Sequence, residues 1–258
     1  MTEIEVAIAA AREAGKQLMA ALHRPHEIRH KSSAIDWVTE MDQQVEQLII
    51  ETLRKAYPTY GILSEESPEQ QGHHARWIVD PLDGTINYAH KHPHFAISIA
   101  LEKEGEVVLG VVYHPALDEL FVAERGAGAW LNGQRLHVSN TGELRTALIA
   151  SGSPYDVHTR PEPYMRLWQG LVTSALAVRQ SGAAALDLCY VAAGRLDGYV
   201  EFGLAPWDVA AGSLIVREAG GRVSDFRGGD NFLYDQSIIA ASPALWLHLL
   251  ALARLYNT

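Results

Sequence analysis

The chain has 258 residues, of which 48% are hydrophobic, and a formal net charge of −10. This length allows one large core or two fused lobes, and the negative charge argues against direct nucleic-acid binding. The single cysteine, Cys189, excludes an internal disulfide and favours a reducing compartment. No apolar run approaches the roughly 18 residues of a membrane span, and no signal-peptide pattern is present. We therefore expect a cytoplasmic protein without a membrane partner.

Two amphipathic helices are predicted first. Thr2 and Glu5 form a capping-box pattern that opens a helix ending near His23. A second helix is predicted over about residues 40–56, with an apolar stripe of Met41, Val45, Leu48, Ile49 and Leu53. Asp42 lies at the edge of that buried face. This acid either complements the helix dipole or points into a site, and the pattern alone leaves both interpretations open.

The next feature is the segment from Trp77 to Tyr88. Three apolar residues lead into Asp80, which predicts a short buried strand with an acid at its C-terminal end. Pro81 is expected to end that strand. Asp83 follows closely, and two neighbouring carboxylates repel each other unless a cation lies between them. A divalent cation with oxygen ligands is the expected solution.

The same segment continues with a predicted phosphate site. Gly84 lets the backbone approach a ligand closely, and the N–H groups of Gly84, Thr85 and Ile86 would open a helix or turn. Such a place binds anions, above all phosphate. The alternative is a turn with two exposed acids. It is less favoured because a turn needs neither the buried strand before it nor the Gly-Thr pair after it.

Two further polar segments flank this motif. Ser64-Glu65-Glu66-Ser67 would usually be a solvated loop, but Glu65 matters because the metal needs more oxygen ligands than two aspartates supply. The alternating histidines in His90-Lys91-His92-Pro93-His94 suggest zinc only weakly. Pro93 interrupts the strand that would place them on one face.

The remaining elements predict two lobes. Strands over Phe95–Leu101, Val107–His114 and Glu119–Glu124, with an Asn132-Gly133 turn, indicate an antiparallel meander that ends the first lobe near residue 142. Residues 143–258 alternate between strands and helices: Ala147–Ser151, Pro163–Thr173, Ala175–Arg179, Gly182–Ala193, Tyr199–Phe202, Val209–Ala219, Ile238–Ala241 and Pro243–Tyr256. We therefore expect an α/β or α+β protein with lobes 1–142 and 143–258.

The second lobe contributes two more candidate acids. Asp208 falls in the first turn of a predicted helix, where an acid that complements the helix dipole is as plausible as a site residue. Glu201 lies at the end of the preceding strand and could face the same cleft.

Together these features resemble the inositol monophosphatase family of Mg²⁺-dependent, Li⁺-sensitive sugar-phosphate phosphatases. The resemblance is carried by two separate signatures, Trp77-Ile78-Val79-Asp80-Pro81-Leu82-Asp83-Gly84-Thr85-Ile86-Asn87-Tyr88 and Trp207-Asp208-Val209-Ala210-Ala211-Gly212 with Glu218-Ala219-Gly220-Gly221. Supporting segments are Lys31-Ser32-Ser33, Ser64-Glu65-Glu66-Ser67 and Arg195-Leu196-Asp197-Gly198-Tyr199. Their order fits along nearly the whole chain. The resemblance implies a layered α-β-α-β-α sandwich and a homodimer.

The resemblance also implies roles for individual residues. Two or three Mg²⁺ ions would be held by Glu65, Asp80, the Leu82 carbonyl, Asp83 and Asp208. The substrate, a small phosphate monoester, would contact Asp83, Gly84, Thr85, Gly182, Ala183, Ala184, Glu201 and Asp208. Catalysis would fall to Asp42, Thr85 and Glu65. In this mechanism Thr85 and Asp42 orient and deprotonate a water that attacks phosphorus directly.

Several alternatives stay open at this point. Other substrates in the family are fructose 1,6-bisphosphate, histidinol phosphate and 3′-phosphoadenosine 5′-phosphate, whereas Asn87 followed by an aromatic residue favours inositol monophosphate. Phosphoaspartyl phosphatases carry Asp-x-Asp-Gly-Thr near the N-terminus, but here two residues separate Asp80 from Asp83. A regulatory or RNA-processing protein that retains the fold is a non-enzymatic alternative.

Overall fold

A computed structural model describes residues 1–255. The helices in this part of the chain are α1 (Glu3–Ala21), α2 (Glu40–Ala56), α3 (Thr85–Ala89), α4 (Pro161–Ser174), α5 (Ala184–Ala192), α6 (Pro206–Glu218) and α7 (Pro243–Arg254). The strands are β1 (Ile28–His30), β2 (Trp37–Thr39), β3 (Gly61–Ser64), β4 (Ala75–Asp83), β5 (Ala96–Lys103), β6 (Glu106–His114), β7 (Glu119–Glu124), β8 (Gly128–Leu131), β9 (Gln134–Arg135), β10 (Leu148–Ala150), β11 (Ala177–Arg179), β12 (Gly198–Phe202), β13 (Arg222–Ser224) and β14 (Ser237–Ala241). A short 3₁₀ turn spans Leu144–Thr146.

The first sheet has seven strands in the order β3-β4-β5-β6-β7-β8-β9. Only its β3–β4 pair is parallel, and the strands from β4 to β9 pair antiparallel. At the β8–β9 turn, Asn132 and Gly133 have φ angles of 48° and 81°. Positive φ at both central residues is the requirement of a type I′ hairpin turn. The predicted meander and its turn are therefore confirmed.

The second sheet has five strands in the order β11-β10-β12-β14-β13 and is mixed, as predicted. β10 pairs parallel with β11 and β12, whereas β14 pairs antiparallel with β12 and β13. The sequence prediction missed β13, because three residues directly after Gly220-Gly221 are too few to show a strand pattern.

The helices cover and separate the two sheets. Helices α1 and α2 pack on one face of the first sheet, and α5 and α6 fill the space between the sheets. Helices α4 and α7 pack on the outer face of the second sheet. Close approach in the middle layer depends on glycines: a Cβ on Gly212 would lie 2.7 Å from Leu188, and one on Gly110 would lie 2.7 Å from the Ala211 carbonyl oxygen. The predicted layered α-β-α-β-α sandwich is confirmed.

At two places the structure differs from what the sequence predicted. Pro81 does not end its strand, because β4 continues through an irregularity between Asp80 and Asp83 and pairs again with β5 at Asp83. The β1–β2 hairpin was not predicted, since it is short and its first strand is exposed. Helix α7 ends at Arg254, and the predicted end at Tyr256 lies outside the described residues. None of the helices in residues 1–255 combines the length and apolarity needed to cross a membrane.

Candidate active site

A cleft of about 340 Å³ brings together segments from both halves of the chain. Glu65, Asp80 and Asp83 from the first half line it together with Asp187, Glu201 and Asp208 from the second half. Among the described residues that line this cleft there is no Lys, Arg or His. Six acids in one cleft repel each other when they are ionised, and a bound cation would relieve this repulsion.

The irregular end of β4 supplies two of these acids. Asp80 is 2% exposed and its Oδ1 accepts a hydrogen bond from the Leu82 backbone N–H at 3.0 Å. Asp83 is 7% exposed, and its carboxylate accepts from the N–H groups of Ala184 and Ala185 at 3.1 and 2.9 Å. Burial and neighbouring carboxylates raise the pKa of both aspartates well above the ordinary value. The strand irregularity therefore presents two acids to one cleft.

Gly84 links this strand end to α3. Its φ angle is +91°, which disfavours any residue with a side chain, and a Cβ there would lie 3.1 Å from the carbonyl oxygens of Gly182 and His94. Tyr88 N–H bonds to the Gly84 carbonyl at 3.0 Å and is part of the first turn of α3. The N–H groups before Tyr88 have no partner within the helix, so they can bind an oxygen of phosphate.

Thr85 joins the cleft to Asp42, which is not part of the cleft lining. The Thr85 hydroxyl lies 2.8 Å from Asp42 Oδ1 and 3.1 Å from the Leu82 carbonyl oxygen, so its single proton can go to either acceptor. Asp42 Oδ2 accepts from the Thr39 N–H and hydroxyl at 2.8 and 2.6 Å. Asp42 is fully buried, and this burial raises its pKa despite these hydrogen bonds. Asp42 therefore caps its own helix and also orients Thr85.

Lys31 places a positive charge next to the acids. Its Nζ donates to Glu65 at 2.7 Å and also to Glu66. Burial raises the pKa of each of these glutamates to about 7, although Lys31 opposes the change. Glu46 on α2 accepts hydrogen bonds from the Ser64 hydroxyl and the Glu66 N–H, and so fixes the segment that carries Glu65.

Asp208 reaches the cleft from the start of α6. Its Oδ2 accepts from the Ala205 N–H at 2.7 Å, so it caps the helix as well as lining the cleft. Burial raises its pKa to about 6. Among residues 1–255, no three His, Cys, Asp or Glu side chains are placed to hold one ion as they stand. Asp83 and Asp208 each accept hydrogen bonds from backbone N–H groups, and their carboxylates keep further lone pairs with which to bind a cation.

The second half of the chain forms the other wall of the cleft. Gly182, Ala183 and Ala184 line this wall, as the sequence predicted. Glu201 accepts a hydrogen bond from the Tyr199 hydroxyl at 2.6 Å, and burial raises the pKa of Glu201 to about 8. Gly152 packs directly on this carboxylate, since a Cβ there would lie 2.2 Å from Glu201 Oε2.

We expect Gly152→Ala to displace Glu201, because Gly152 has no positive φ and the three atoms nearest to the added methyl group all belong to the Glu201 carboxyl group. The overpacking should lower the free energy of unfolding by about 1–3 kcal/mol, measured by urea denaturation. Gly142→Ala is the control, since its Cβ would meet only the Ala244 Cβ, at 3.5 Å. A free energy of unfolding for Gly152→Ala equal to that of Gly142→Ala would show that Glu201 is not held in this way.

Comparison with known proteins identifies the family. The model of the inositol monophosphatase family matches residues 2–256. The chain belongs to the inositol monophosphatase family. The Nus factor SuhB of Escherichia coli K12 is 43% identical over 251 residues, which cover 96% of this chain and 94% of the relative. The fold of the chain is likewise that of the family, as two solved structures show.

The first of these structures is the extragenic suppressor protein suhB of Bartonella henselae. It has a TM-score of 0.92 at 42% identity, and 97% of each chain is covered. The second is an IMPase of Thermotoga maritima, with a TM-score of 0.91 at 35% identity, covering 100% of this chain and 98% of the other. Members of the inositol monophosphatase family are generally metal-dependent, and the family fold supports a phosphatase.

For this member of the inositol monophosphatase family, the structure brings most of the predicted site residues to one cleft. Asp42 alone among them does not line it, but reaches it through Thr85. The sequence prediction missed Asp187, which is 2% exposed and whose pKa burial raises to about 7. An acid within the apolar run of α5 was the signal that could have found it.

The segment with the alternating histidines, residues 90–94, lies next to the cleft. His90 stacks on the lining residue Trp37, with ring centroids 5.4 Å apart. His94 meets His114 edge to face at 5.7 Å, and the His114 Nε2 lies 3.0 Å from the Pro93 carbonyl oxygen. Burial lowers the pKa of His94 to about 4, and it also lowers the pKa of His114. Both imidazoles are therefore neutral at pH 7.

These lowered pKa values predict that acid reduces the free energy of unfolding. The unfolded chain binds protons near the ordinary histidine pKa of about 6.5, whereas folded His94 and His114 do not. For His94 this contribution to stability is complete above about pH 6.5 and is lost as the pH falls towards 4, and for His114 it is lost in the same direction. We expect His114→Gln to reduce the acid-induced loss, measured as urea midpoints at several pH values. The exposed His73→Gln is the control, and identical pH profiles for both variants would contradict the assignment.

Proposed function

We propose that this protein is a metal-dependent phosphomonoesterase acting on a small polyol monophosphate such as myo-inositol monophosphate. The observation that carries the proposal is the cleft in which Glu65, Asp80, Asp83 and Asp208 lie beside the backbone cradle of Gly84 and Thr85. Hard oxygen donors next to an anion site are what a metal-assisted phosphate hydrolysis needs.

The donor chemistry of this cleft fits Mg²⁺. The proposed ligands are Glu65, Asp80, the Leu82 carbonyl, Asp83 and Asp208, for two or three ions. Burial raises the pKa values of Glu65, Asp80 and Asp83, and neighbouring carboxylates raise them further, whereas Lys31 opposes the change at Glu65. When bound, the ions would neutralise the phosphate dianion and lower the pKa of water.

The chain's own residues supply position and proton transfer. Gly84 and Thr85 hold the phosphate through backbone N–H groups. The Thr85 hydroxyl donates to Asp42, which leaves its lone pairs free to accept from the attacking water. Asp42, fully buried and with a raised pKa, then receives the proton through Thr85, and Glu65, which also lines the cleft, assists. Direct attack by water needs no covalent intermediate.

The cleft lining also selects among the substrates of the family. A second phosphate, as in fructose 1,6-bisphosphate or 3′-phosphoadenosine 5′-phosphate, would need a cation, and the described lining residues include none. Glu201 and Asp187 on the other wall would accept hydrogen bonds from hydroxyl groups. We therefore favour a neutral polyol with a single phosphate over the bisphosphates. Histidinol phosphate, whose alcohol part carries a positively charged ammonium group, is the comparison substrate.

Phosphate release from a panel of these esters, with Mg²⁺ and with EDTA, tests the proposal. We expect hydrolysis of inositol 1-phosphate that stops when EDTA removes the metal and returns when Mg²⁺ is added. The family resemblance predicts inhibition by millimolar Li⁺ in competition with Mg²⁺. Equal rates in EDTA, or a preference for a bisphosphate, would refute the assignment. Trapping of a phosphorylated aspartate would instead favour the phosphoaspartyl mechanism.

A second candidate function comes from the relatives. The 43%-identical protein of Escherichia coli is named Nus factor SuhB, so a role as a Nus factor through a macromolecular partner is the alternative. A hydrolysis-dead variant that restores function to a strain lacking its own SuhB would establish this role separately from catalysis. Failure of the active wild type to restore function would exclude it for that host.

The proposed function is accompanied by three proposals, on the lobes of the chain, its oligomeric state and its compartment. We propose that residues 1–142 and 143–258 act as two lobes of one unit, since each sheet is built from strands of one side of this boundary. The family resemblance supports a homodimer, which light scattering after size exclusion would test. The single buried cysteine, Cys189, supports a reducing cytoplasmic compartment.

A further inference from the structure

Asn87 on α3 makes contacts that the roles assigned so far leave unexplained. Its Nδ2 donates to the backbone carbonyl oxygens of His94 at 2.8 Å and Ser181 at 2.9 Å, and the Gly182 oxygen lies 3.4 Å away. Carbonyl oxygens only accept hydrogen bonds. The amide nitrogen and not the amide oxygen must therefore face them, which fixes the orientation of the side chain.

These carbonyl groups belong to separate segments of the chain. His94 precedes β5 in the first half, whereas Ser181 and Gly182 precede α5 in the second half. Gly182 has a φ of +80°, and a Cβ on it would lie 3.2 Å from Asn87 Nδ2. The second half of the chain therefore approaches α3 closely at Gly182, where a residue with a side chain would be strained.

The segment that Asn87 holds is also part of the cleft wall. Gly182, Ala183 and Ala184 line the cleft, and the N–H groups of Ala184 and Ala185 donate to Asp83. Asn87 thus binds the beginning of this segment and Asp83 binds its end. Both side chains come from the stretch that also provides the phosphate cradle.

We propose that Asn87 is a positioning residue that sets the alcohol-binding wall, Gly182–Ala184, relative to the phosphate cradle, Gly84–Thr85. The inference rests on the proposed phosphatase function and deepens it. Asn87 lines the cleft, but the hydrogen bonds of its side-chain amide go to these backbone carbonyl groups and not to the acids. Its loss should therefore impair discrimination between alcohols much more than it impairs phosphate binding.

Asn87→Asp tests this with an isosteric change, because it replaces the donating NH₂ by an oxygen that would face three carbonyl oxygens. We expect kcat/KM for inositol 1-phosphate to fall about 10- to 100-fold. The kcat/KM for glycerol 2-phosphate, a smaller ester, and the inhibition constant of inorganic phosphate share any repulsion by the new carboxylate, so both should change at least about threefold less than the value for inositol 1-phosphate. Asn132→Asp is the matched control, because the Asn132 amide also joins two backbone groups but lies in the β8–β9 turn.

Hydrogen exchange gives a readout that does not depend on activity. The amides of Ala184 and Ala185 should exchange faster in Asn87→Asp than in wild type, and should be unchanged in Asn132→Asp. Unchanged exchange, or an equal loss for both esters and for phosphate, would overturn the proposal. If Asn87→Asp does not fold, Asn87→Ser undergoes the same measurements. A wild type that hydrolyses no ester would defeat the proposed function, and exchange alone would then decide the role of Asn87.

Discussion

Asp83→Asn should abolish hydrolysis while leaving the fold intact. The substitution keeps one oxygen that can accept from Ala184 or Ala185 N–H, but it removes a negative charge from the proposed metal site. We expect kcat/KM to fall by about 10³-fold or more, because the proposed metal site loses a charged ligand. At ~1.4 kcal/mol for each factor of ten, this loss corresponds to about 4 kcal/mol of transition-state stabilisation. Steady-state phosphate release at saturating Mg²⁺ measures this loss, and Asp208→Asn should behave in the same way.

Stability provides the second readout for Asp83→Asn. The pKa of Asp83 is raised by burial and by Asp208, so the carboxylate is unfavourable in the metal-free protein. The variant should unfold at the same temperature as wild type or higher without metal, and should gain less from added Mg²⁺. Asp197→Asn is the control, since Asp197 also accepts a backbone N–H, that of Leu148, at 2.7 Å. Full activity in Asp83→Asn would refute the metal assignment.

Thr85→Val should lower kcat by about 10²-fold, which is the lower end of the range for a lost acid–base relay. Valine has nearly the shape of threonine but lacks the hydroxyl that lies 2.8 Å from Asp42 Oδ1. The backbone N–H of residue 85 remains, so the inhibition constant of inorganic phosphate should change little. Because only proton transfer is removed, KM should also stay near the wild-type value.

Thr85→Ser is the matched comparison, because it keeps the hydroxyl and removes only a methyl group. It should retain activity within about fivefold of wild type. If Thr85→Val and Thr85→Ser lose activity equally, packing and not the hydroxyl would be responsible. The fully buried Asp42 must then have another partner in the reaction, and the relay that we propose would be wrong.

Local patterns in the sequence were sufficient to predict most of the fold. Long periodic helices such as α2 were placed at their observed bounds, and the Asn132-Gly133 pair predicted its turn because only certain residues tolerate positive φ. The end of β4 could not be predicted in the same way. Proline lacks an N–H and normally ends a strand, yet pairing resumes at Asp83, because the partner strand β5 continues beside it.

The site shows the same division between local and long-range information. The acids at positions 42 and 208 were each compatible with an acid that complements the helix dipole or with a site residue. In the structure both accept a backbone N–H at the start of their helices, while Asp42 also contacts Thr85 and Asp208 also lines the cleft. Capping is a local interaction that a sequence pattern can show. The contacts of Asn87 with residues 94 and 181, and the closeness of Gly152 to Glu201, arise only from tertiary packing. No sequence spacing carries that information.

The helix layer that the two sheets share has a consequence for biosynthesis. Apolar side chains of the first sheet, such as Phe121 and Val112, are buried in one core with Leu186 and Ala211 of α5 and α6. A ribosome releases the first sheet long before these helices exist, so one face of it stays in water until the rest of the chain has emerged. A fragment ending at residue 142 should therefore aggregate when expressed alone, and co-expression with the remaining fragment should recover soluble protein.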